Sequence, residues 1–227
     1  MYFFLLLPLM ILAQANFDKG EKLFKEEKFD QAQLVFESIL KTNPHDLKTI
    51  EYLGDIAGKD KSWDAAIGYY KKLKQLKPVE ANYYYKYGGV LGMKAINGNK
   101  FKALGMIDEV RGSFEKAIAL NPKHIEARWA LIELYIQLPG IVGGSQSKAV
   151  KYSNELMKLS PVDGHLSKGH IDEYFKRYKL AEQNYKKAIA IGGSKMSYQK
   201  LANLYRNKMN DPEKARLVLE EYKNKRG

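Results

Sequence analysis

The sequence predicts an all-α chain, a solenoid of about six helix-turn-helix units, and three observations carry that prediction. Apolar residues recur at helical spacing on either side of a sharp turn: Phe114, Ala117 and Ile118 before Asn121–Pro122, then Trp129, Ile132 and Tyr135 beyond it. The same phrase returns along the chain, as FESILKTNP at 36–44, YKKLKQLKP at 70–78, FEKAIALNP at 114–122 and SNELMKLSP at 153–161. Four of only 7 prolines, Pro44, Pro78, Pro122 and Pro161, fall at that repeated turn. Proline lacks the N–H a helix interior needs and biases the residue before it away from helix, so each marks a helix boundary.

Residues 1–15 stand apart from the repeats. Phe3 to Ala13 is an apolar run, and Ala13-Gln14-Ala15 has the small-x-small form of a cleavage site. This is the layout of an export signal, too short to span a bilayer comfortably. No Lys or Arg precedes the run, so an uncleaved anchor or a mis-assigned start stays open beside it. The expectation is a chain exported to the periplasm or secreted, cleaved near Ala15 and beginning at Asn16.

From Asn16 small residues track the period. Gly20 precedes Ala32 by 12 positions, Gly54 precedes Ala66 by 12, and Gly169 precedes Ala181 by 12, with an aromatic 4 later at Phe36, Tyr70 and Tyr185. Pro44 to Pro78 spans 34 residues. Here the chain resembles the tetratricopeptide-repeat family, with its W-x₂-L-G-x₂-Y, A-x₃-F and P signature. In that family the solenoid is right-handed. The small residues are expected where the two helices of a unit cross, with the aromatic filling the gap to the next unit.

The units are placed at about 16–46, 47–80, 81–124, 125–161, 162–194 and 195–227, the second being the most regular. The third keeps Tyr84, Tyr87-Gly88, Phe114 and Ala117 but carries 10 residues too many. Within them Asn97-Gly98-Asn99 reads as a loop, and 100–120 as a second helix extended to about 20 residues, roughly 30 Å. The fourth keeps Leu131, Tyr135 and Ala149, has Ile132 where glycine is usual, and holds the insertion LPGIVGGSQS at 138–147. There Pro139 should stop a helix, Gly143-Gly144 permit positive φ, and Ser145 or Ser147 cap the next helix. Each insertion is either a contact loop or a tolerated lengthening. The fifth unit has Gly193 where the proline is usual, and the sixth ends in polar KNKRG, as a terminal cap requires.

Function classes narrow by chemistry. Cysteine is absent, which removes disulfides, thiolate metal sites and a lipid-modified cysteine. No phosphate-binding, dinucleotide-binding, zinc-protease or nucleophile-elbow motif occurs; Gly88-Gly89-Val90-Leu91-Gly92 lies inside a predicted helix and reads as close helix packing. His45 and His124 fall in turns between units, and His165 and His170 are 5 apart, off the spacing of a shared ligand face. No enzyme, cofactor or metal is expected.

The site must then come from the repeat's geometry. The resemblance places family positions 2, 5, 9 and 12 of each first helix in the concave groove. They are Glu21 and Phe24; Lys48, Glu51 and Asp55; Asn82 and Tyr85; Glu126, Trp129, Glu133 and Ile136; Asp163, Leu166, His170 and Glu173; Gln199, Asn203 and Arg206. Seven of these are acidic and two basic in a chain of net charge +12. The expected binding residues are Glu51, Asp55, Tyr85, Glu126, Trp129, Glu133, His170 and Glu173. The alternative for Trp129 is packing as core between the third and fourth units, since it sits one place from the family's usual tryptophan. Of the lysine, asparagine and arginine set with which some family members clamp a terminal carboxylate, only Lys86 matches; Phe17, Glu21, Tyr52 and Asn82 hold most of the other places.

The expectation is a monomeric, non-enzymatic scaffold taking a basic peptide or helix in an acidic, aromatic groove. The alternative is an adaptor whose outward lysines, Lys71, Lys72, Lys74, Lys77, Lys186 and Lys187, meet an anionic surface, lipid or polyanion. Nucleic acid is not expected, and any membrane contact would be peripheral.

Overall fold

The computed structural model describes residues 6–225, with side chains described for 14–99 and 102–225. Among these residues there is no strand. The helices run α1 Leu6–Lys25, α2 Phe29–Thr42, α3 Leu47–Lys59, α4 Trp63–Leu76, α5 Ala81–Asn97, α6 Lys100–Leu104 and α7 Ile107–Leu120. They continue as α8 Ile125–Gln137, a 3-10 turn at Gly140–Val142, α9 Gln146–Leu159, α10 Pro161–Tyr174, α11 Tyr178–Gly192, α12 Lys195–Asn207 and α13 Pro212–Asn224. Two compact units form, Met1–Leu120 and Asn121–Gly227.

Of the candidate leader, residues 1–5 lie outside the described residues; from Leu6 the backbone of α1 is helical straight through Ala13-Gln14-Ala15. Among the described residues no helix is long and apolar enough to cross a membrane.

Helix ends follow local chemistry. Pro44, Pro78 and Pro122 stand two residues beyond the ends of α2, α4 and α7, whereas Pro161 opens α10 as its first residue behind the Ser160 cap, the position where a missing N–H costs nothing. Asp46, Ser145, Ser194 and Asp211 cap α3, α9, α12 and α13 through side-chain oxygens. Gly143 takes a left-handed φ of 96°. Gly144 is glycine for a different reason: a Cβ there would fall 1.8 Å from the Leu138 carbonyl oxygen.

The long second helix expected over 100–120 is two helices. α6 stops at Leu104 and α7 starts at Ile107, because Gly105, a weak helix former, lies in the turn between them; Met106 N–H bonds back only to Ala103.

The crossing inside each helix pair also differs from expectation. A Cβ on Gly54 would meet the Tyr70 ring at 2.9 Å, on Gly88 the Phe114 ring at 2.9 Å, on Gly20 the Phe36 ring at 2.7 Å and on Gly169 the Tyr185 ring at 2.4 Å. The glycine therefore makes room for the aromatic, not for the alanine four residues before it, and the ring closes its own unit before touching the next. Phe36 does both, lying over Gly20 and stacking on Tyr52 of α3 at 4.8 Å and 7°. Where the ring is missing the glycine goes too. In α8 and α9 the corresponding residues are Ile132 and Ser153, both fully buried. Size moves from one helix to the other and the filled volume is kept, as a close-packed interior demands.

His124 caps α8, its Nδ1 accepting the Ala127 N–H at 3.3 Å. Burial holds its pKa below the ordinary 6.5, against the opposing pull of Glu126. A group with a depressed folded pKa contributes stability that is full above its unfolded pKa and is lost as pH falls through the folded one. Acidifying from about pH 7.5 to about pH 5 should therefore remove about 1 kcal/mol, the usual worth of an N-cap. His124→Asn, a cap that does not titrate, should erase that part of the pH dependence in urea melts.

Candidate functional site

In the first unit α1, α3 and α5 are joined by polar contacts across a constant offset of 31 residues. Tyr52 O–H donates to Glu21 at 2.8 Å, Asn82 to Glu51 at 3.5 Å, and Lys86 Nζ to both Asp55 oxygens at 2.9 and 2.8 Å. Lys86 also lies 2.7 Å from Glu51. Burial disfavours the ammonium, but the hydrogen bonds of Asp55 and Glu51 outweigh it and raise the Lys86 pKa. Tyr70 donates its O–H to Asp55 at 2.5 Å, and burial together with that carboxylate drives its pKa far upward. Burial and Glu21 push Tyr52 up to about 12. The carboxylates of this face thus hold the helices together around one lysine.

Beside that network lies an open cleft of about 540 Å³, lined by Phe24, Trp63, Tyr70, Tyr85, Val90 and Met93, with Asp55, Lys59 and Lys86 at its polar side. Gly58 and Gly89 form the rest of its wall. A Cβ on Gly89 would meet nothing within 4 Å, so the space in front of this turn of α5 is empty. Tyr85 also leans on Phe114, ring centroids 6.0 Å apart.

In the second unit α8 and α10 bring other residues together. Trp129 Nε1–H donates to Asp163 at 2.9 Å, and the half-buried ring packs against a core cluster that includes Leu166 and Tyr205. Glu133 and His170 bond at 2.6 Å, and that bond above all holds the Glu133 carboxyl below its ordinary range. Among the described residues no group of three or more His, Asp or Glu could hold a metal ion.

No protein-family model matches the chain, but solved structures do. A thermophilic tetratricopeptide-repeat protein of Thermus thermophilus is similar over 87% of this chain and 97% of its own, with TM-score 0.65 and 17% identity. The fold is that of the tetratricopeptide-repeat proteins. PilW, a type IV pilus biogenesis factor, matches over 94% of this chain and 91% of its own, with TM-score 0.64 and 14% identity. YrrB, a tetratricopeptide-repeat protein with an unusual peptide-binding site, matches over 80% and 87%, with TM-score 0.53 and 16% identity.

Within this fold the expected site residues separate by partner. Glu51 and Asp55 meet at Lys86, and Asp55 and Tyr85 line the cleft. Trp129 and His170 adjoin, with centroids 6.3 Å apart, and His170 ties in Glu133. Glu126 instead stands exposed, 3.1 Å from His124 Nδ1, and Glu173 turns to α11, accepting the Tyr185 O–H at 2.8 Å. Two residues placed in the groove by register, Ile136 and Leu166, are core, 4% and 3% exposed. Leu166 belongs to the cluster that also holds Tyr185, Leu201 and Tyr205. Lys74, read as outward charge, lies half-buried 3.3 Å from the Tyr87 ring centre, and burial lowers its pKa.

Sequence reasoning missed Trp63, Val90 and Met93. Trp63 is the first residue of a second helix, and Val90 and Met93 lie in the lengthened C-terminal part of α5. The available signal was the glycine pair, Gly58 and Gly89, one on each side of the opening.

Proposed function

We propose that the chain is an exported, non-enzymatic protein–protein interaction scaffold that takes a peptide or helix of its partner in the cleft of the first unit. One observation carries this reading: the cleft is walled by aromatic and aliphatic side chains, with one polar side, and an interior glycine of α5 leaves its floor open. Binding hot spots are of this kind, an apolar anchor in a pocket beside groups that fix its orientation. Likeness to YrrB supports the class of ligand, and the leader at 1–15 supports export. We read Trp129 as packing, since its N–H and its ring both have partners within the second unit.

Gly89→Leu separates binding from folding. The side chain would enter free space, and leucine is a better helix former than glycine, so the variant should be as stable as the parent or up to about 1 kcal/mol more stable. It should fill the cleft. With the full chain as bait in an envelope extract, the partner captured by the parent should be lost by this variant. Equal capture by a stable Gly89→Leu chain overturns the cleft as the binding site.

A further inference from the structure

Three turns inside helix pairs share one backbone. Glu27, Lys61 and Lys176 have φ of 59°, 60° and 60°, and each turn closes with the same two hydrogen bonds, Glu27 N to Phe24 O and Lys28 N to Leu23 O in the first, repeated at Lys61–Ser62 and Lys176–Arg177. Side chains at these tips are thus set by something other than the turn. The α1–α2 tip reads Lys25-Glu26, the α3–α4 tip Lys59-Asp60, all exposed and charged. At the α10–α11 tip the same two places hold Tyr174 and Phe175, 41% and 37% exposed. Their rings contact each other edge to face at 5.2 Å.

The surroundings of this tip are basic. Lys176 and Lys179 hold no ion pair among the described residues; of the nearby carboxylates, Asp172 accepts at 2.8 Å from Arg177, whose guanidinium lies 5.1 Å from the Phe175 ring centre, and Glu173 turns back to Tyr185 of α11. Leu180, the third residue of α11, is 46% exposed. The Gln146 amide, at the start of α9, lies 3.2 Å from the Arg177 guanidinium. The other two tips show that aromatic side chains are not needed for folding here.

We infer that the α10–α11 tip of the second unit is a docking surface for an anionic lipid membrane, its two rings entering the headgroup region and its lysines meeting lipid phosphates. The choice of occupant rests on shape and charge. A stable protein complex buries about 800 Å² per partner, which two partly exposed rings do not offer. Aromatic side chains at headgroup depth flanked by Lys and Arg are the pattern of a membrane interface, and juxtaposed cations favour an anionic leaflet. This surface is independent of the cleft in the first unit.

The test uses the full chain with Phe175→Trp and vesicles of brominated phosphatidylcholine, with or without phosphatidylglycerol. The added indole should shift its emission to the blue and be quenched with phosphatidylglycerol present, and far less without it. Tyr174→Lys combined with Phe175→Asp copies the sequence of the α3–α4 tip and so suits the turn; it should lower partition onto the anionic vesicles about tenfold or more. An unquenched indole overturns the inference, even if the chain sediments with vesicles through another segment. So does an indole that responds to polyglutamate and not to vesicles, which would make the tip a site for acidic protein.

Discussion

Gly164→Ala is expected to lower unfolding free energy by about 3 kcal/mol, the upper end of what overpacking costs, while the same change at Gly68 or Gly112 raises it by up to about 1 kcal/mol. All three glycines are helical, in α10, α4 and α7, so propensity favours alanine at each. What differs is the space. At Gly68 and Gly112 a Cβ meets nothing within 4 Å. At Gly164 it would lie 2.4 Å from Met157 Cα and 2.8 Å from Met157 N, backbone atoms of α9 that cannot swing aside as a side chain can. The helices are held at this distance by a buried pair of serines, Ser153 and Ser167, bonded at 2.7 Å, with Ser167 also donating to the Gly164 carbonyl at 3.0 Å. Alanine would part the helices and stretch those bonds. Urea melts of the three variants decide the matter, and effects of one sign and size would mean that α9 and α10 are not packed this closely.

Gly164 also shows where sequence reading stops. The helix-turn-helix repeat was legible because its marks are local or periodic: prolines two residues past α2, α4 and α7, apolar spacing, and glycine twelve places before alanine. The meaning of the small residues was only half legible. Spacing placed Gly54 and Ala66 at a crossing, but the glycine lies under the Tyr70 ring, a contact that its spacing to Ala66 does not encode. Gly164 falls outside the period, since the contact it permits is between α9 and α10 alone. At the site, register chose Asp55 and Tyr85, which do line the cleft, because first-helix positions repeat. It could not foresee that Lys86 would answer both Glu51 and Asp55, because charge pairing depends on distances of a few ångströms between side chains 31 or more residues apart. Nor could it find Trp63, on a helix whose residues the repeat assigns outward. Gly105 was visible, yet the apolar period ran through it and hid the break between α6 and α7.

Tyr70 joins the packing of the first unit to its cleft, and removing its ring is expected to have the largest effect of any single substitution there. The ring is 2% exposed, fills the space above Gly54, lines the cleft and lies below Lys86 Nζ at 5.8 Å. Its hydroxyl donates to Asp55, which also receives Lys86. Two contributions can be separated by substitution. Tyr70→Ala leaves a cavity above a glycine that has no side chain to fall into it, so relaxation is slight and the cost should reach about 3–5 kcal/mol. Tyr70→Phe keeps the ring and removes one hydrogen bond to a carboxylate that retains Lys86, so it should cost about 1–2 kcal/mol. The phenylalanine chain should stay folded and still bind in the cleft, whereas the alanine chain, with the cleft wall gone, should lose the partner even at low urea where it remains helical. Equal destabilisation by the two substitutions would locate the stability in the Asp55–Lys86–Glu51 network instead of the ring, and would make the glycine–aromatic pairing a consequence of the fold and not one of its causes.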